Sequence, residues 1–332
     1  MATTWAIYGP GNPFQNLEIR TAWRKYEKGL IPLMLGAPSL FAHEYLAARE
    51  SLAKAYEEYY ANNGPSDPDA SAYIKARYQF GLERGLPTPD IARAEVASSI
   101  ALIGNTMPAT FWLVYHVLSD PAILEDCRRE LSEAVSDEGG MWAVDISRVK
   151  SSCPILLSTF QEVMRFHGIG MSARTVLEDT TLDNRFLLKK GAIVLIPAIA
   201  CHNLASVWGD DVGQFNHKRF LREPSSKGRR HDPVALRAFG GGSTLCPGRH
   251  FAATEILAFA SLIILSSNVR PVDGRWTAPT TKNSNLGTAI DQPDYDIDVE
   301  VSSRSSKPWV VTVSGAVKEM NIVAEDIAAG HH

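Results

Sequence analysis

The segment that most constrains this chain is residues 239–252, which read FGGGSTLCPGRHFA and place a cysteine between a glycine-rich loop and the start of a helix. Gly240, Gly241 and Gly242 permit backbone geometry closed to other residues and let the chain approach a flat object closely. The helix that follows directs its N-terminal N–H groups and positive dipole end toward Cys246, which favours a thiolate over a thiol. The pattern predicts a nucleophile or a metal ligand; the alternative is a buried free cysteine, which is common.

The composition places this segment in a globular protein large enough to enclose a cofactor. The 332 residues are 45% hydrophobic and 21% charged, with a formal net charge of −4. These values exclude disorder and a disulfide-rich miniprotein, and the mildly acidic balance gives no reason to expect nucleic acid as a partner. Cys127, Cys153, Cys201 and Cys246 are far apart and form no CxxC pair. We therefore expect reduced thiols rather than a zinc cage.

The hydrophobic periodicity predicts a fold that is mainly α with a small β-sheet. Helices are predicted over residues 17–30, 39–61, 70–82, 88–118, 120–135, 154–166 and 250–266. Short β-prone runs from Ile169 to Ile199, around turns at Asp183-Asn184 and Lys190-Gly191, predict the sheet. Residues 205–245 are mostly irregular, and long loops of this kind are usually functional. Loop and short strands are predicted over residues 268–316.

One stretch, from Val96 to Leu118, has the length and the lack of charge of a membrane span. It also contains serine, glycine, asparagine, proline and histidine, and its flanks show no strong Lys/Arg bias. A helix buried in a large protein has the same composition. The sequence favours the buried helix and leaves the membrane span as the alternative.

The loop around the cysteine resembles the haem-binding loop of the cytochrome P450 family, Phe-x-x-Gly-x-x-x-Cys-x-Gly. Phe239, Gly242, Cys246 and Gly248 stand at the four matching positions. The resemblance implies a cytochrome P450 fold and a haem b cofactor whose iron takes Cys246 as its axial thiolate ligand. It also implies that Phe239 packs near the sulfur and that loop N–H groups tune its potential.

Two further elements resemble the same family. Glu162 and Arg165 form Glu-x-x-Arg on a predicted helix, where this spacing puts both side chains on one face. Residues 215–220, FNHKRF, resemble the segment that supplies a second arginine, here Arg219. The resemblance implies a structural role, in which a buried Glu162 between the two arginines locks the loop under the haem. Arg174 lies where the family places a cation for a haem propionate, and guanidinium suits a carboxylate through bidentate geometry.

Residues 101–112, ALIGNTMPATFW, resemble the oxygen-binding stretch of the family. Pro108 has no N–H and its ring pushes on the carbonyl of Gly104, so we expect the helix to distort there and make room for dioxygen. Most family members place an acid and a threonine where this chain has Gly104 and Asn105, and Thr106 substitutes only if the register shifts. These three are the candidate catalytic residues, although Asn105 is a poor proton relay.

This variant, together with Thr244 in place of a basic residue two before the cysteine, resembles the branch containing sterol 7α- and 12α-hydroxylases and prostacyclin synthase. The resemblance implies a monooxygenase that hydroxylates or oxidises a lipophilic sterol, terpenoid or other secondary metabolite. It would use O2 and electrons from NADPH-cytochrome P450 reductase. Substrate contacts are expected at Leu102, Ile103, Met107 and Ile169.

Two other functions stay open: a haem-dependent isomerase or dehydratase that needs no reductase, motivated by Asn105, and a truncated, non-catalytic pseudoenzyme. The second follows from the expectation that this chain lacks the N-terminal part of the family fold, including its membrane anchor. One domain is expected over residues 1–332, with a helical segment over the substrate side (1–87) and a haem-binding catalytic core (88–332). The resemblance implies association with the endoplasmic reticulum membrane, whereas a chain without the anchor is expected to be soluble and cytoplasmic.

Overall fold

The computed structural model describes residues 2–221, 231–315 and 320–329, and within them it confirms a mainly helical chain with small sheets. The helices are α1 Ala2–Tyr8, α2 Leu17–Lys28, α3 Leu30–Met34, α4 Ser39–Ala61, α5 Ala72–Glu83, α6 Thr88–Ile103, α7 Thr106–Ser119, α8 Pro121–Glu133, α9 Ile146–Ser152, α10 Pro154–Phe166, α11 Ala198–His202, α12 Ala205–Trp208, α13 Arg249–Ser266 and α14 Ala324–Ala329. The strands are β1 Val135–Glu138, β2 Met141–Asp145, β3 Met171–Thr175, β4 Thr180–Leu182, β5 Phe186–Leu188, β6 Ile193–Pro197, β7 Ser267–Pro271, β8 Val299–Ser303 and β9 Trp309–Thr312.

The chain forms two compact units, Met1–Met107 and Pro108–His332. The first unit packs α2 and α6 against α4 around a core that includes Trp23, Leu52 and Tyr56. The second unit packs α8, α9 and α10 with α13 around a larger core. The division expected between residues 87 and 88 stays a prediction.

Local chemistry explains where several helices begin. Asp120 precedes α8, and its carboxylate accepts hydrogen bonds from the N–H groups of Ala122 and Ile123 at 2.8 and 3.3 Å. Ser71 caps α5 in the same way, through the N–H of Ile74. These caps satisfy N–H groups that have no partner inside the helix. The structure also contains the short helix α1, Ala2–Tyr8, which is not among the predicted helices.

The predicted helix over residues 88–118 is two helices, because Gly104 and Asn105 form a turn between α6 and α7. Gly104 keeps helical dihedral angles, φ −59° and ψ −26°, and its N–H donates to the Ile100 carbonyl at 2.9 Å. Pro108 lies in the first turn of α7, where a missing N–H removes no intrahelical hydrogen bond. The distortion expected from Pro108 is therefore an interruption at the residues before it, and the uncharged stretch is not one continuous helix.

A different helix, α13, is the one in the described residues that is long and apolar enough to cross a membrane, with a mean hydropathy of 1.3. Its Ala253, Ile256 and Leu257 belong to the core of the second unit. Core helices of folded proteins meet the same criterion, so the feature is weak evidence for a membrane span.

The strands of the second unit form small sheets rather than the single one expected over residues 169–199. There β3 pairs antiparallel with β6, and β4 pairs separately with β5. Asp183 and Asn184 have φ of 52° and 49°, and the N–H of Arg185 donates to the Leu182 carbonyl at 3.1 Å, so the predicted turn at Asp183-Asn184 forms within the three-residue connection between β4 and β5. The sheet of β1, β2 and β9 has no counterpart in the prediction, and in it β9 runs parallel to β2. Residues 222–230 of the predicted irregular segment lie outside the described residues.

Candidate functional site

The loop before α13 folds back on itself. The N–H of Cys246 donates to the carbonyl oxygen of Phe239 at 2.9 Å, and the N–H of Leu245 donates to Gly242 at 3.1 Å. Gly240 and Gly242 have φ of +75° and +59°, a region that side-chain-bearing residues rarely adopt. Phe239 packs against the core of the second unit. The glycines thus let the loop close while Phe239 anchors it.

The four cysteines differ in their surroundings. Cys127 and Cys153 are fully buried, and burial raises the pKa of each to about 12, which keeps them as thiols. Cys246 is half-buried and lies three positions before Arg249, where α13 begins. A Cβ on Gly248 would be 4.0 Å from the Cys246 sulfur, an ordinary contact distance. Cys246 is therefore a partly exposed thiol next to Gly248, at the start of a long helix.

Three of the expected residues form one buried ion cluster, which we call the paired arginine cluster: Glu162, Arg165 and Arg219. Arg165 donates from Nε and Nη2 to the two Glu162 oxygens, both at 2.8 Å. Arg219 Nε lies 3.1 Å from each of the same oxygens. None of the three side chains is more than 5% exposed. One carboxylate therefore joins α10 to the segment that carries Arg219.

The terminal nitrogens of Arg219 also have hydrogen-bond acceptors. Its Nη1 donates to the Trp208 carbonyl at 2.7 Å and to Asp211 Oδ1 at 2.8 Å. The hydrogen bonds from Arg219 lower the pKa of Asp211 below its usual value. Burial by itself would lower the pKa of Arg219, but Asp211 and Glu162 outweigh it and raise that pKa.

His202, which the sequence did not single out, connects this cluster to the cysteine loop. Its carbonyl accepts from Arg165 Nη1 at 2.8 Å, and its Nε2 accepts from the N–H of Arg237 at 2.9 Å. Burial and the charge of Arg165 lower the pKa of His202 to about 4, so the imidazole is neutral near pH 7. A lone histidine at the end of a short helix gave no sequence signal for this position.

Two arginines meet at the glycine loop, and we call them the open arginine pair: Arg174 on β3 and Arg237. Arg174 Nη2 donates to Thr244 Oγ1 at 2.6 Å and to the Gly241 carbonyl at 3.3 Å. The Arg237 guanidinium covers Gly241, and its Nη2 lies 2.4 Å from the place where a Cβ on Gly241 would stand. The buried Arg237 Nε has no hydrogen-bond acceptor among the described residues. No carboxylate of those residues forms an ion pair with either arginine.

The short helix α14 contributes two carboxylates to the same loop. Glu325 Oε1 accepts from the N–H of Gly242 at 2.8 Å, and Asp326 Oδ1 accepts from Arg249 Nε at 2.9 Å. Asp326 lies at 3.4 Å from His250 Nε2 as well. Arg249, which directly follows the loop, therefore has a counter-charge within the chain. The open arginine pair has none among the described residues.

The candidate catalytic residues Gly104, Asn105 and Thr106 lie at the helix break. Thr106 Oγ1 donates to the Leu102 carbonyl at 3.4 Å. Glu27 of α2 is 7% exposed, and its Oε1 lies 3.4 Å from the position of a Cβ on Gly104. The structure thus places a carboxylate beside the break. The sequence did not identify it, because α2 is distant along the chain.

The expected substrate residues differ in exposure. Ile103 is 7% exposed within the core of the first unit, and Leu102 packs against that core. Met107 is 47% exposed. In the second unit, the half-buried Ile169 donates its N–H to the Ala289 carbonyl at 2.8 Å. Their roles toward a substrate stay predictions.

The donor set of the second unit fits a haem. The described residues contain no group of three or more His, Cys, Asp or Glu side chains placed to hold a metal ion, so a cage of protein ligands is not offered there. The half-buried Cys246 offers a single sulfur ligand that is partly exposed. The open arginine pair offers two cations, and the buried Nε of Arg237 is a donor that a carboxylate would satisfy. Haem needs one axial ligand and carries two carboxylates.

Comparisons with known proteins agree with this interpretation. The family model described as Cytochrome P450 matches residues 89–298. The chain is 36% identical to "Cytochrome P450 monooxygenase nodJ" of Hypoxylon pulicicidum over 92% of its own length and 61% of that protein. It is 32% identical to a "Cytochrome P450 monooxygenase" of Gibberella zeae, over 90% and 59%. It is 28% identical to "Cholesterol 7-alpha-monooxygenase" of Cricetulus griseus, over 83% and 57%. The chain thus spans about 60% of the length of these relatives.

Proposed function

Because the chain belongs to the cytochrome P450 family, we propose that it is a haem-thiolate monooxygenase that oxidises a lipophilic small molecule. The observation that carries the proposal is the closed loop from Phe239 to Cys246. This loop leaves the cysteine half-buried at the start of α13. A sulfur at this position, with cations beside the same loop, suits a thiolate ligand better than it suits a structural core cysteine.

The residues that would hold haem b all belong to the second unit. Cys246 would supply the thiolate ligand, and Arg174 would supply a cation for a propionate. Phe239 would anchor the loop, Gly242 would allow its turn, and Gly248 would add no side chain next to the sulfur. When bound, haem supplies the oxygen chemistry, and its thiolate ligand favours O–O cleavage.

The paired arginine cluster would fix the scaffold beneath this loop. Glu162 pairs with two guanidinium groups that come from different segments, and His202 connects Arg165 to the backbone of Arg237. A loop held in this way keeps Cys246 in one position through a catalytic cycle, because rigid support preserves the geometry of a site.

Monooxygenation also needs protons. A substrate C–H, O2, two electrons and two protons give an alcohol and one water. Thr106 Oγ1 is a hydroxyl that both donates and accepts, so it can pass a proton, whereas the amide of Asn105 can only orient a water or substrate by hydrogen bonding. Gly104 contributes no side chain at the helix break. We assign these three residues the handling of oxygen and protons.

The substrate class and the partners follow from the relatives and the resemblance. A sterol, a terpenoid or another lipophilic secondary metabolite is proposed, supported by the likeness to a protein named Cholesterol 7-alpha-monooxygenase. Leu102, Ile103, Met107 and Ile169 would contact it through apolar side chains. We propose NADPH-cytochrome P450 reductase as the electron donor and the endoplasmic reticulum membrane as the site of action.

A second candidate function is isomerisation or dehydration by the same haem without a reductase. The residue that favours it is Asn105 at the helix break, because such reactions need no protonation of oxygen by a relay at this place. The two functions separate in one assay. Turnover that requires reductase and NADPH supports the monooxygenase, and turnover of an organic peroxide without them supports the isomerase.

The first experiment is an absorption spectrum of the haem-reconstituted chain, reduced with dithionite and exposed to carbon monoxide. We expect a strongly red-shifted Soret band that is lost in Cys246→Ala. Cys201→Ala is the matched control, since Cys201 is the other partly exposed cysteine, and it should keep the band. Failure of the unaltered chain to take up haem would contradict the proposal and favour a non-catalytic protein.

A further inference from the structure

We propose that Arg237 is a carboxylate-binding residue of the haem site and that it holds a haem propionate together with Arg174. This inference rests on the proposed function and adds a residue that the family resemblance did not supply. It starts from an unpaired charge. Among the described residues, the buried Nε of Arg237 has no hydrogen-bond acceptor and no carboxylate forms an ion pair with its guanidinium.

The energetic argument concerns this missing partner. A buried or half-buried guanidinium without a counter-charge is unfavourable, and a second cation close by adds repulsion. Arg174 is that second cation, because both side chains contact Gly241. The nearby carboxylates of Glu325 and Asp326 bind Gly242 and Arg249 instead. An external carboxylate would satisfy both arginines, and a fork-shaped guanidinium binds it through two hydrogen bonds.

Gly241 supports the assignment independently. Its φ of 169° is extended backbone that any residue adopts, so the conformation does not require glycine. A Cβ there would, however, lie within 2.7 Å of three atoms of the Arg237 guanidinium, so any side chain at this position would displace that guanidinium. The absence of a side chain at Gly241 thus lets this guanidinium lie flat against the loop that contains the cysteine.

The backbone of Arg237 is held on both sides before any ligand arrives. Its N–H donates to His202 Nε2 at 2.9 Å, and its carbonyl accepts from the N–H of Gly240 at 3.0 Å. A cation fixed in this way loses little freedom on binding, which favours affinity. Arg237 is therefore a prepared binding group rather than a surface side chain.

The test measures haem retention instead of turnover. Haem-loaded chains are mixed with excess apomyoglobin, and the rate of haem transfer is followed by absorbance. We expect Arg237→Gln to lose haem roughly tenfold to a hundredfold faster than the unaltered chain, the loss of a charged hydrogen bond. Arg237→Lys keeps the charge without the fork and should fall between the two. Arg275→Gln, which removes an exposed arginine elsewhere in the second unit, is the control and should not differ.

Gly241→Ala keeps both charges and a permitted backbone, but it displaces the guanidinium. It should therefore approach Arg237→Gln in its rate of haem loss. The decisive arm repeats the measurement with haem dimethyl ester, which has no carboxylates. There, Arg237→Gln and the unaltered chain should lose the cofactor at equal rates.

The outcomes separate this inference from the proposed function. Equal haem loss from Arg237→Gln and the unaltered chain overturns the inference while leaving the thiolate assignment intact. An equally faster loss of the dimethyl ester from Arg237→Gln also overturns it, because the arginine would then act by packing alone. If the unaltered chain binds no haem, the proposed function itself fails, and this assignment fails with it.

Discussion

The paired arginine cluster and the open arginine pair lie in the same unit and differ in one component, a carboxylate. In the paired cluster, Glu162 accepts hydrogen bonds from two buried arginines, and its charge is fully matched. In the open pair, Arg174 and Arg237 meet at Gly241 with no carboxylate of the described residues between them. The comparison teaches that a cation whose partner is built into the chain fixes the fold. A cation without such a partner is available for a ligand.

The largest expected effect comes from converting the paired cluster into an open one. Glu162→Gln keeps the shape of the side chain but leaves the buried Arg165 without a counter-charge and Arg219 with only the half-exposed Asp211. We expect the free energy of unfolding to fall by about 3–5 kcal/mol. Urea unfolding of the full chain, followed by fluorescence, measures it.

The control for this substitution is Glu178→Gln, since Glu178 is exposed and forms no ion pair within the described part of the chain. It should change the unfolding free energy by less than about 0.5 kcal/mol. A loss below about 1 kcal/mol in Glu162→Gln would show that the two clusters do not differ as the contacts indicate.

The second effect concerns His202, which touches both clusters. Its pKa is lowered to about 4 in the folded chain, mainly by burial, against about 6.5 when unfolded. The unfolded chain therefore binds the proton more readily, so stability is complete above pH 6.5 and declines as the pH falls toward 4. The decline is about 3 kcal/mol for this one residue. Urea midpoints measured from pH 7 to pH 4 would record it.

His202→Gln retains an acceptor for the N–H of Arg237 and has no group that titrates in this range. It should reduce the pH dependence between 6.5 and 4, whereas His43→Asn, at an exposed histidine, should leave it unchanged. His116 contributes in the same direction, because burial lowers its pKa to about 3. An unaltered slope in His202→Gln would contradict the buried neutral imidazole.

The smallest expected effect compares the two carboxylates that bind Arg219, the buried Glu162 and the partly exposed Asp211. Asp211 also binds Arg219, but its side chain is 44% exposed, and solvent screens the pair. Asp211→Asn keeps an acceptor oxygen and should cost less than about 1 kcal/mol in urea unfolding. A loss as large as that of Glu162→Gln would mean that the outer carboxylate, rather than the buried one, supports Arg219.

The sequence predicted most helices because amphipathic spacing, proline and capping residues act locally. The segments over 39–61 and 154–166 coincide with α4 and α10. It predicted the closed loop at Cys246 because the glycines and the motif are contiguous. It missed the pairing of β9 with β2, which joins segments far apart in sequence. It also treated residues 88–118 as one helix, whereas the structure forms a turn at Gly104 and Asn105.

In the candidate site, too, some contacts follow from sequence spacing and others depend on the tertiary structure. The side chains of Glu162 and Arg165 are one helical turn apart, so their pairing follows from spacing alone. Arg237, by contrast, was not predicted as a site residue. Its guanidinium lies against Gly241 and its N–H binds His202, and neither contact can be inferred from the sequence. Glu27 beside Gly104 is a similar case.

By itself, the sequence determined the family and the mainly helical class, and it singled out Cys246 as the proposed ligand, because these depend on residue types at fixed short spacings. Only the tertiary structure decided which charges are matched and which are left open. A counter-charge is a matter of distance in space, and Arg165 and Arg237, on either side of His202, differ in whether the fold brings a carboxylate to them.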